Sequence, residues 1–236
     1  MANEASGLSR SVEDYLKAIY SLGEHGEVAS TSSIAEALDV QPASVTGMVK
    51  RLAESGYLKH APYRGVELTE EGTRQALRIL RRHRILEAYL AEQLGYRWED
   101  VHQEAERLEH AASDKLIERM AGTLQNPSHD PHGAPIPTPS GEIEATDSYT
   151  LSELAPGEEA HVRAVRDDDS AHLLAVEAAG LLPGTLVRVV ERTLTPPLLR
   201  LKVKGTDSRA LEVPLAIARR VFVVPTTSGG GVEAEG

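Results

Sequence analysis

Val40-Gln-Pro-Ala-Ser-Val-Thr-Gly-Met-Val-Lys-Arg-Leu52 carries the pattern of a short, Pro-initiated amphipathic helix. Pro42 suits the first turn of a helix, where its missing N–H is not needed. The helix runs to about Ser55, and Gly56 ends it in the C′ position. Val45, Met48, Val49 and Leu52 recur at helical spacing as its buried side. The other side offers Gln41, Pro42, Ala43, Ser44, Thr46, Gly47, Lys50 and Arg51, which are small or hydrogen-bonding residues and two cations. Upstream, Asp39-Val-Gln-Pro breaks a short helix spanning Thr31–Leu38, with Thr31 or Ser32 as its N-cap. A first helix spans Ser11–Leu22, with Val12, Tyr15, Leu16 and Ile19 inward and Ser11 as N-cap. Downstream, Tyr57 to Thr69 reads as two short strands around Pro62 to Gly65. Helix, tight turn, helix and a two-stranded wing is the order of a winged helix-turn-helix.

The chemistry of this domain suits DNA. From Gln41 to Gly65 the cations Lys50, Arg51, Lys59 and Arg64 face one acid, Glu54, although the whole chain has a net charge of -11. That total argues against nonspecific nucleic-acid binding by the whole molecule and places any DNA contact on a local patch. Small residues at the start of the second helix let backbone approach base edges, and Arg64 at the wing tip would reach phosphate or minor groove. A winged helix used for protein contacts alone is the alternative.

Composition frames the rest. The 236 residues suffice for two or more domains, and 41% hydrophobic with 26% charged residues is ordinary for a globular protein. One Phe and one Trp leave an aliphatic core, and no cysteine excludes disulfides, thiolate metal sites and a cysteine nucleophile. Neither a membrane span nor an apolar leader core is present, which predicts a cytoplasmic protein with no membrane partner.

Glu70–Leu94 reads as one long helix, with Ala76, Leu77, Leu80, Leu86, Leu90 and Leu94 apolar and Gly95 as its stop. After it, Trp98 to His110 reads as a helix whose His102, Glu106, Glu109 and His110 share one side, because offsets of four, seven and eight fall on one stripe. Two histidines and two carboxylates so placed can bind a divalent cation. His83 and Glu87, one turn apart on the preceding helix, form a second potential ligand pair. Asp14, at the boundary of the first helix's buried face, is the best candidate to complete the first set, and would tie the DNA-binding domain to the helical one. The bland alternative is a Glu-rich surface with helical ion pairs, to which Arg107 and Lys115 could contribute. A wide aliphatic face on these helices predicts packing between subunits, as a homodimer reading a palindromic operator requires.

These motifs resemble the diphtheria-toxin-repressor and manganese-transport-regulator family of metal-dependent repressors. The resemblance rests on Val12-Glu-Asp-Tyr-Leu-Lys-Ala-Ile-Tyr20, the stretch Val40–Leu52, Arg82-His-Arg84, Val101-His102, Glu109-His110 and Asp130-Pro-His-Gly-Ala-Pro-Ile-Pro137. It implies a primary metal site on Asp14, Glu106, Glu109 and His110, and an ancillary site on His83, Glu87 and His102. Iron-type members carry Met and Cys at the Asp14 and Glu106 positions, while manganese-type members carry Asp and Glu, as here. Oxygen-rich donors without sulfur independently suit hard Mn²⁺, with Fe²⁺ the alternative. The short manganese regulators use a Glu one turn after the Asp. Lys17 stands there, which favours two separated metal sites per subunit.

The C-terminal part changes character. Pro, Gly, Ser and Asp mark Asn126–Tyr149 as linker-like, with His129 and His132 as solvated loop residues. Valine-rich runs at Ala160–Val165, Leu186–Glu191, Leu199–Val203 and Ala218–Val224, with a helix over Ser170–Ala179, predict a small β-barrel of SH3-like type. Asp169 and His172, at the start of that helix, align with residues that complete the ancillary site in iron-type members. A capping role for Asp169 and an exposed His172 are the alternative. The barrel could instead take a Pro-rich segment such as Pro131 to Pro139. The expected class is therefore α+β multidomain: a winged helix-turn-helix over 1–72, an all-α metal-binding and dimerisation domain over 73–140, a linker over 141–157, the SH3-like domain over 158–226 and a flexible acidic tail over 227–236.

The expected mechanism is co-repression: Asp14, Glu106 and Glu109 repel one another without metal, the DNA-binding domains sample many orientations, and a cation fixes them. Rival readings are a winged-helix regulator of an organic effector and a metallohydrolase. The second lacks any nucleophile motif or Gly-rich phosphate loop, so the chain reads as a regulator and not an enzyme.

Overall fold

The computed structural model describes residues 8–24, 28–61, 65–145, 149–167, 169–204 and 210–226, without the side chains of 60 and 61. Arg64 and the 227–236 tail lie outside the described residues. Two compact units are present, Met1–Ser148 and Tyr149–Gly236.

The first unit opens with α1 (Arg10–Glu24), α2 (Thr31–Ala37) and α3 (Pro42–Glu54), then β1 (Leu58–Ala61) and β2 (Gly65–Leu68), an antiparallel pair in which Lys59 faces Glu67. Leu16, Ile19, Ile34, Val45, Leu52 and Leu58 bury one aliphatic core between these elements. α1 starts one residue before the expected Ser11 cap. The Ser9 carbonyl accepts from the Val12 and Glu13 amides, so Ser11 lies in the first turn. Ser30, not Thr31 or Ser32, caps α2. Its hydroxyl accepts from the Ser33 amide at 3.0 Å, while the Ser33 hydroxyl accepts from the Ser30 amide at 2.9 Å.

α4 (Glu70–Leu94) matches the predicted long helix and ends at Gly95 in the left-handed conformation. Its start is joined to the wing. The Thr69 amide donates to the Tyr57 carbonyl at 2.9 Å, and its hydroxyl donates to Gly56 O at 2.7 Å while accepting from Gly72 N at 3.1 Å. Gly72 is obligatory for packing: a Cβ there would collide with the Tyr57 carbonyl.

α5 (Val101–Leu108) and α6 (Asp114–Thr123) pack on α4 around Ile85, Leu86, Leu90, Val101, Ala105, Ile117 and Ile136. The predicted helix from Trp98 to His110 is shorter than expected, and Glu109 and His110 sit in the turn that follows it. Residues 130–137 are not a solvated linker. Arg84 Nη1 donates to Pro135 O at 2.6 Å, Arg81 Nη1 to Pro137 O at 2.8 Å and Trp98 Nε1 to Pro131 O at 2.9 Å. Pro135, Ile136 and Pro137 are buried, so this proline segment is already engaged within the first unit.

The second unit is a five-stranded antiparallel sheet, the SH3-like domain. Its strands are β3 (Glu159–Val165), β4 (Leu186–Leu194), β5 (Pro197–Val203), β6 (Leu211–Pro214) and β7 (Val221–Pro225), in the order β6-β5-β4-β3-β7. α7 (Ser170–Ala178) joins β3 to β4, and α8 (Leu215–Ala218) joins β6 to β7. The predicted strand at Ala218–Val224 is thus shortened, because Ala218 closes α8 and pairing starts at Val221. A 3-10 turn at Leu151–Glu153 buries Leu151 and, just beyond it, Leu154 at 0% exposure, inside the stretch expected to be a linker.

Candidate metal centre and nucleic-acid interface

α3 presents Gln41, Pro42, Ala43, Ser44, Thr46, Gly47, Lys50 and Arg51 to solvent, while Val45 and Leu52 anchor its other face. Thr46 Oγ1 donates to the Pro42 carbonyl at 3.2 Å, and Lys50 lies 3.9 Å from Glu54. These contacts are local to the helix and leave the face open to a partner.

The donors gather where α1 meets α4 and the end of α5. Asp14, Glu109 and His110 each bring a ligand atom within 4.8 Å of the others, as do His83, Glu106 and Glu109. Asp14 comes from the winged domain, in the first third of α1. His110 Nε2 lies 2.8 Å from Asp14 Oδ1 and 3.2 Å from Glu109 Oε1. His83, on α4, stands between the two sets: its Nδ1 is 2.6 Å from Glu109 Oε2, and its Nε2 is 2.9 Å from Glu87 Oε1 and 3.1 Å from His102 Nδ1. His102 Nδ1 is also 3.2 Å from Glu87 Oε1. All seven donors expected in this unit are therefore brought together, in one connected chain of contacts.

Electrostatics explains how so many carboxylates share a buried space. Burial opposes the charged form of His83, but Glu87 and the hydrogen bond to Glu109 outweigh it and hold its pKa at about 9. Burial likewise pushes the Glu109 carboxyl up, yet His83 and Lys17 bring it down to about 2. Asp14 is raised, because burial exceeds the attraction of His110 and Lys17. The carboxylates are not left to repel one another, the expectation from sequence, because cationic and imidazole groups lie among them. Lys17 Nζ lies 2.6 Å from Glu109 Oε1 and also bonds Glu106, while His110 serves Asp14.

Sequence reasoning missed several contributors. Glu13 is buried, with Oε2 at 2.7 Å from His110 Nδ1 and Oε1 at 3.7 Å from Arg82. It holds the His110 ring, leaving Nε2 aimed at Asp14. His132, expected in solvent, is fully buried, with Nε2 2.9 Å from the Trp98 carbonyl. It brings a ligand atom within 4.8 Å of Glu87 and Asp130, all three buried. The signal lay in Asp130-Pro-His132 standing inside a family hallmark, but the Pro and Gly around it suggested only a loop. Asp169 and His172 belong to the second unit. Asp169 caps α7, accepting from Ala171 N at 2.9 Å and His172 N at 3.3 Å, and His172 is buried rather than exposed. Within that unit they join no group of donors among the described residues.

The arrangement fits a divalent cation by donor chemistry. Carboxylate oxygens and imidazole nitrogens converge from elements far apart in sequence, without sulfur. A DNA-reading winged helix whose first helix contributes a donor to a histidine-carboxylate centre defines a metal-dependent DNA-binding regulator.

Comparison with known proteins places it further. Residues 7–66 match the iron-dependent repressor N-terminal DNA-binding domain, residues 69–138 the iron-dependent repressor metal-binding and dimerisation domain, and residues 149–225 the FeoA domain. The chain is 37% identical over 227 residues to the iron-dependent repressor IdeR of Mycobacterium tuberculosis, covering 93% of this chain and 86% of that protein. It is 43% identical over 116 residues to the transcriptional regulator MntR of Oceanobacillus iheyensis, covering 49% of this chain and 78% of the relative. A solved structure of a manganese-dependent transcriptional repressor in complex with manganese superposes with a TM-score of 0.86 at 33% identity, over 91% of this chain and 100% of the other. The chain belongs to the diphtheria-toxin-repressor family of metal-dependent transcriptional repressors. No helix among its described residues is long and apolar enough to cross a membrane.

Proposed function

We propose that the protein is a Mn²⁺-responsive repressor of metal-uptake genes, acting as a homodimer on a palindromic operator in the cytoplasm. The observation that carries this reading is the meeting of Asp14, from the DNA-reading domain, with Glu109 and His110 at the end of α5. Asp14, Glu109 and His110 would hold the cation, with Glu106 as a further carboxylate, and the cation would supply the charge that fixes α1 against the helical domain. His83, Glu87 and His102 form the second donor set. The buried Glu87-Asp130-His132 group competes with it for Glu87. Gln41, Pro42, Ala43, Ser44 and Thr46 would face base edges, and Lys50, Arg51 and Arg64 phosphates. Exposed Leu94, Tyr96, Leu108 and Leu116 supply apolar surface for the second subunit.

Asp14 and Glu106 in place of softer donors favour Mn²⁺. The similarity to an iron-dependent repressor along most of the chain supports Fe²⁺ as the second reading. The test is fluorescence anisotropy of an uptake-gene promoter fragment with metal-stripped protein, titrated with Mn²⁺ and, anaerobically, with Fe²⁺. Binding that appears with Mn²⁺, reverses with chelator and is lost in Asp14→Ala supports the proposal. Equal DNA binding with and without metal, or full metal dependence in Asp14→Ala, refutes it.

A further inference from the structure

Lys17 stands one turn after Asp14 on α1, with its ammonium inside the carboxylate cluster. Its Nζ is 2.6 Å from Glu109 Oε1 and bonds Glu106 Oε1 as well. The side chain is only 14% exposed, and the Glu109 side chain is 0% exposed. Both oxygens of Glu109 are engaged, Oε1 by Lys17 and His110, Oε2 by His83. The carboxylate oxygens that Lys17 holds are thus ones a divalent cation would need. An ammonium and a dication crowded around one carboxylate oxygen repel strongly in a buried site, where the effective dielectric is far below that of water.

We propose that Lys17 is a tethered counter-ion, which occupies the Glu106–Glu109 pair until a divalent cation displaces it and so sets the metal concentration at which the protein responds. The inference rests on the metal-binding reading of this cluster. Lys17 reaches from α1 to Glu106 and Glu109, so its ammonium would neutralise that carboxylate pair wherever no cation does. The cation then replaces one positive group by a more highly charged one. In place of a preformed vacancy, the protein offers an exchange, and the stability of the lysine contacts raises the threshold for it. The same contacts explain why a Lys is tolerated where the structure buries its amine among carboxylates: each acid it touches offsets the cost of taking it from water.

The test compares Mn²⁺ affinity of wild type, Lys17→Met and Lys17→Arg by competition with a metal-sensitive chelating dye. It also follows Lys17 labelling by an amine-reactive reagent, read by mass spectrometry with and without saturating Mn²⁺. Lys17→Met should bind Mn²⁺ on the order of 10- to 100-fold more tightly, because a fixed positive charge is gone. Lys17→Arg should stay near wild type. Labelling of wild-type Lys17 should rise several-fold when Mn²⁺ binds, with exposed Lys50 as the invariant control. Unchanged or weaker binding in Lys17→Met, with Asp14→Ala still abolishing it, would overturn the counter-ion role alone. Wild type that binds no Mn²⁺, or binds it equally well as Asp14→Ala, would overturn the metal reading and this inference with it. Should Lys17→Met fail to fold, labelling of the wild type decides: no rise on metal addition rules the exchange out.

Discussion

The affinity for Mn²⁺ should depend steeply on pH through His83. This imidazole is buried between Glu87 and Glu109, which hold its pKa at about 9. It is therefore protonated across the neutral range, whereas a metal ligand must offer a lone pair, so a cation held by His83, as proposed above, would expel the proton. At about pH 7.5 the group lies about 1.5 units below its pKa, so deprotonation costs about 2 kcal/mol of binding energy. Below that pKa each pH unit should change the affinity about tenfold, so the dissociation constant should fall about 100-fold from about pH 6 to about pH 8 on account of this group. Calorimetry in buffers of differing ionisation enthalpy reads the protons released, and chelator competition reads the affinity. His83→Gln should bind with a pH slope one unit smaller and release one proton fewer. Equal slopes in wild type and His83→Gln would show that the proton on His83 is irrelevant to metal binding and refute the reasoning.

Without metal, the same shift should make stability pH-dependent. A group whose pKa is raised on folding contributes fully below its unfolded value of about 6.5 and loses that contribution as pH rises through about 9. The urea midpoint of the metal-free protein should therefore fall between those values, and His83→Gln should flatten the profile. Glu109, depressed to about 2, acts in the other direction, and stability should drop as pH falls from the ordinary glutamate range towards that value. Gly72→Ala should destabilise the protein by about 1–3 kcal/mol, since the added methyl meets the Tyr57 carbonyl, and thermal unfolding checks it. Lys50→Ala should weaken DNA binding to all sequences alike and reduce the slope of log affinity against log salt by about one, whereas Ser44→Ala should alter sequence preference.

Particular residues show how much of the structure is legible in the sequence. Leucine spacing and Gly95 predicted α4 from end to end, because a long amphipathic helix repeats one local signal many times. Pro42 and Gly56 marked α3 for the same local reason. The donors His102, Glu106, Glu109 and His110 were visible as a stripe, although the helix stops at Leu108 and the last two reach the cluster from a turn. The misses were tertiary. Nothing local distinguishes a buried His132 from a solvated one, because its burial depends on Trp98 and on the carbonyls that Arg81 and Arg84 hold. Nothing local marks Glu13 for burial either, because that depends on Arg82 and His110 lying beside it. At the C-terminal end, the run through Ala218 to Val224 was read as one strand across Arg219 and Arg220, and the pairing of β7 with β3 from Val221 shows where the helix yields to strand.

Thr69 and Gly72 splice the wing to α4, and that splice bears on where the molecule can be cut. The DNA-binding match ends at residue 66 and the metal-binding match begins at 69, which invites a chimaera joined between them. Yet Thr69 closes onto Gly56 and Tyr57, and Gly72 lies against the Tyr57 carbonyl, so the reader's last hydrogen bonds are made by residues counted with its neighbour. Ala76, on α4, is likewise buried in the winged-domain core. A DNA-reading half borrowed for another sensor would have to carry α4 at least as far as Ala76 to keep its own floor, and by then the junction stands two helical turns short of His83.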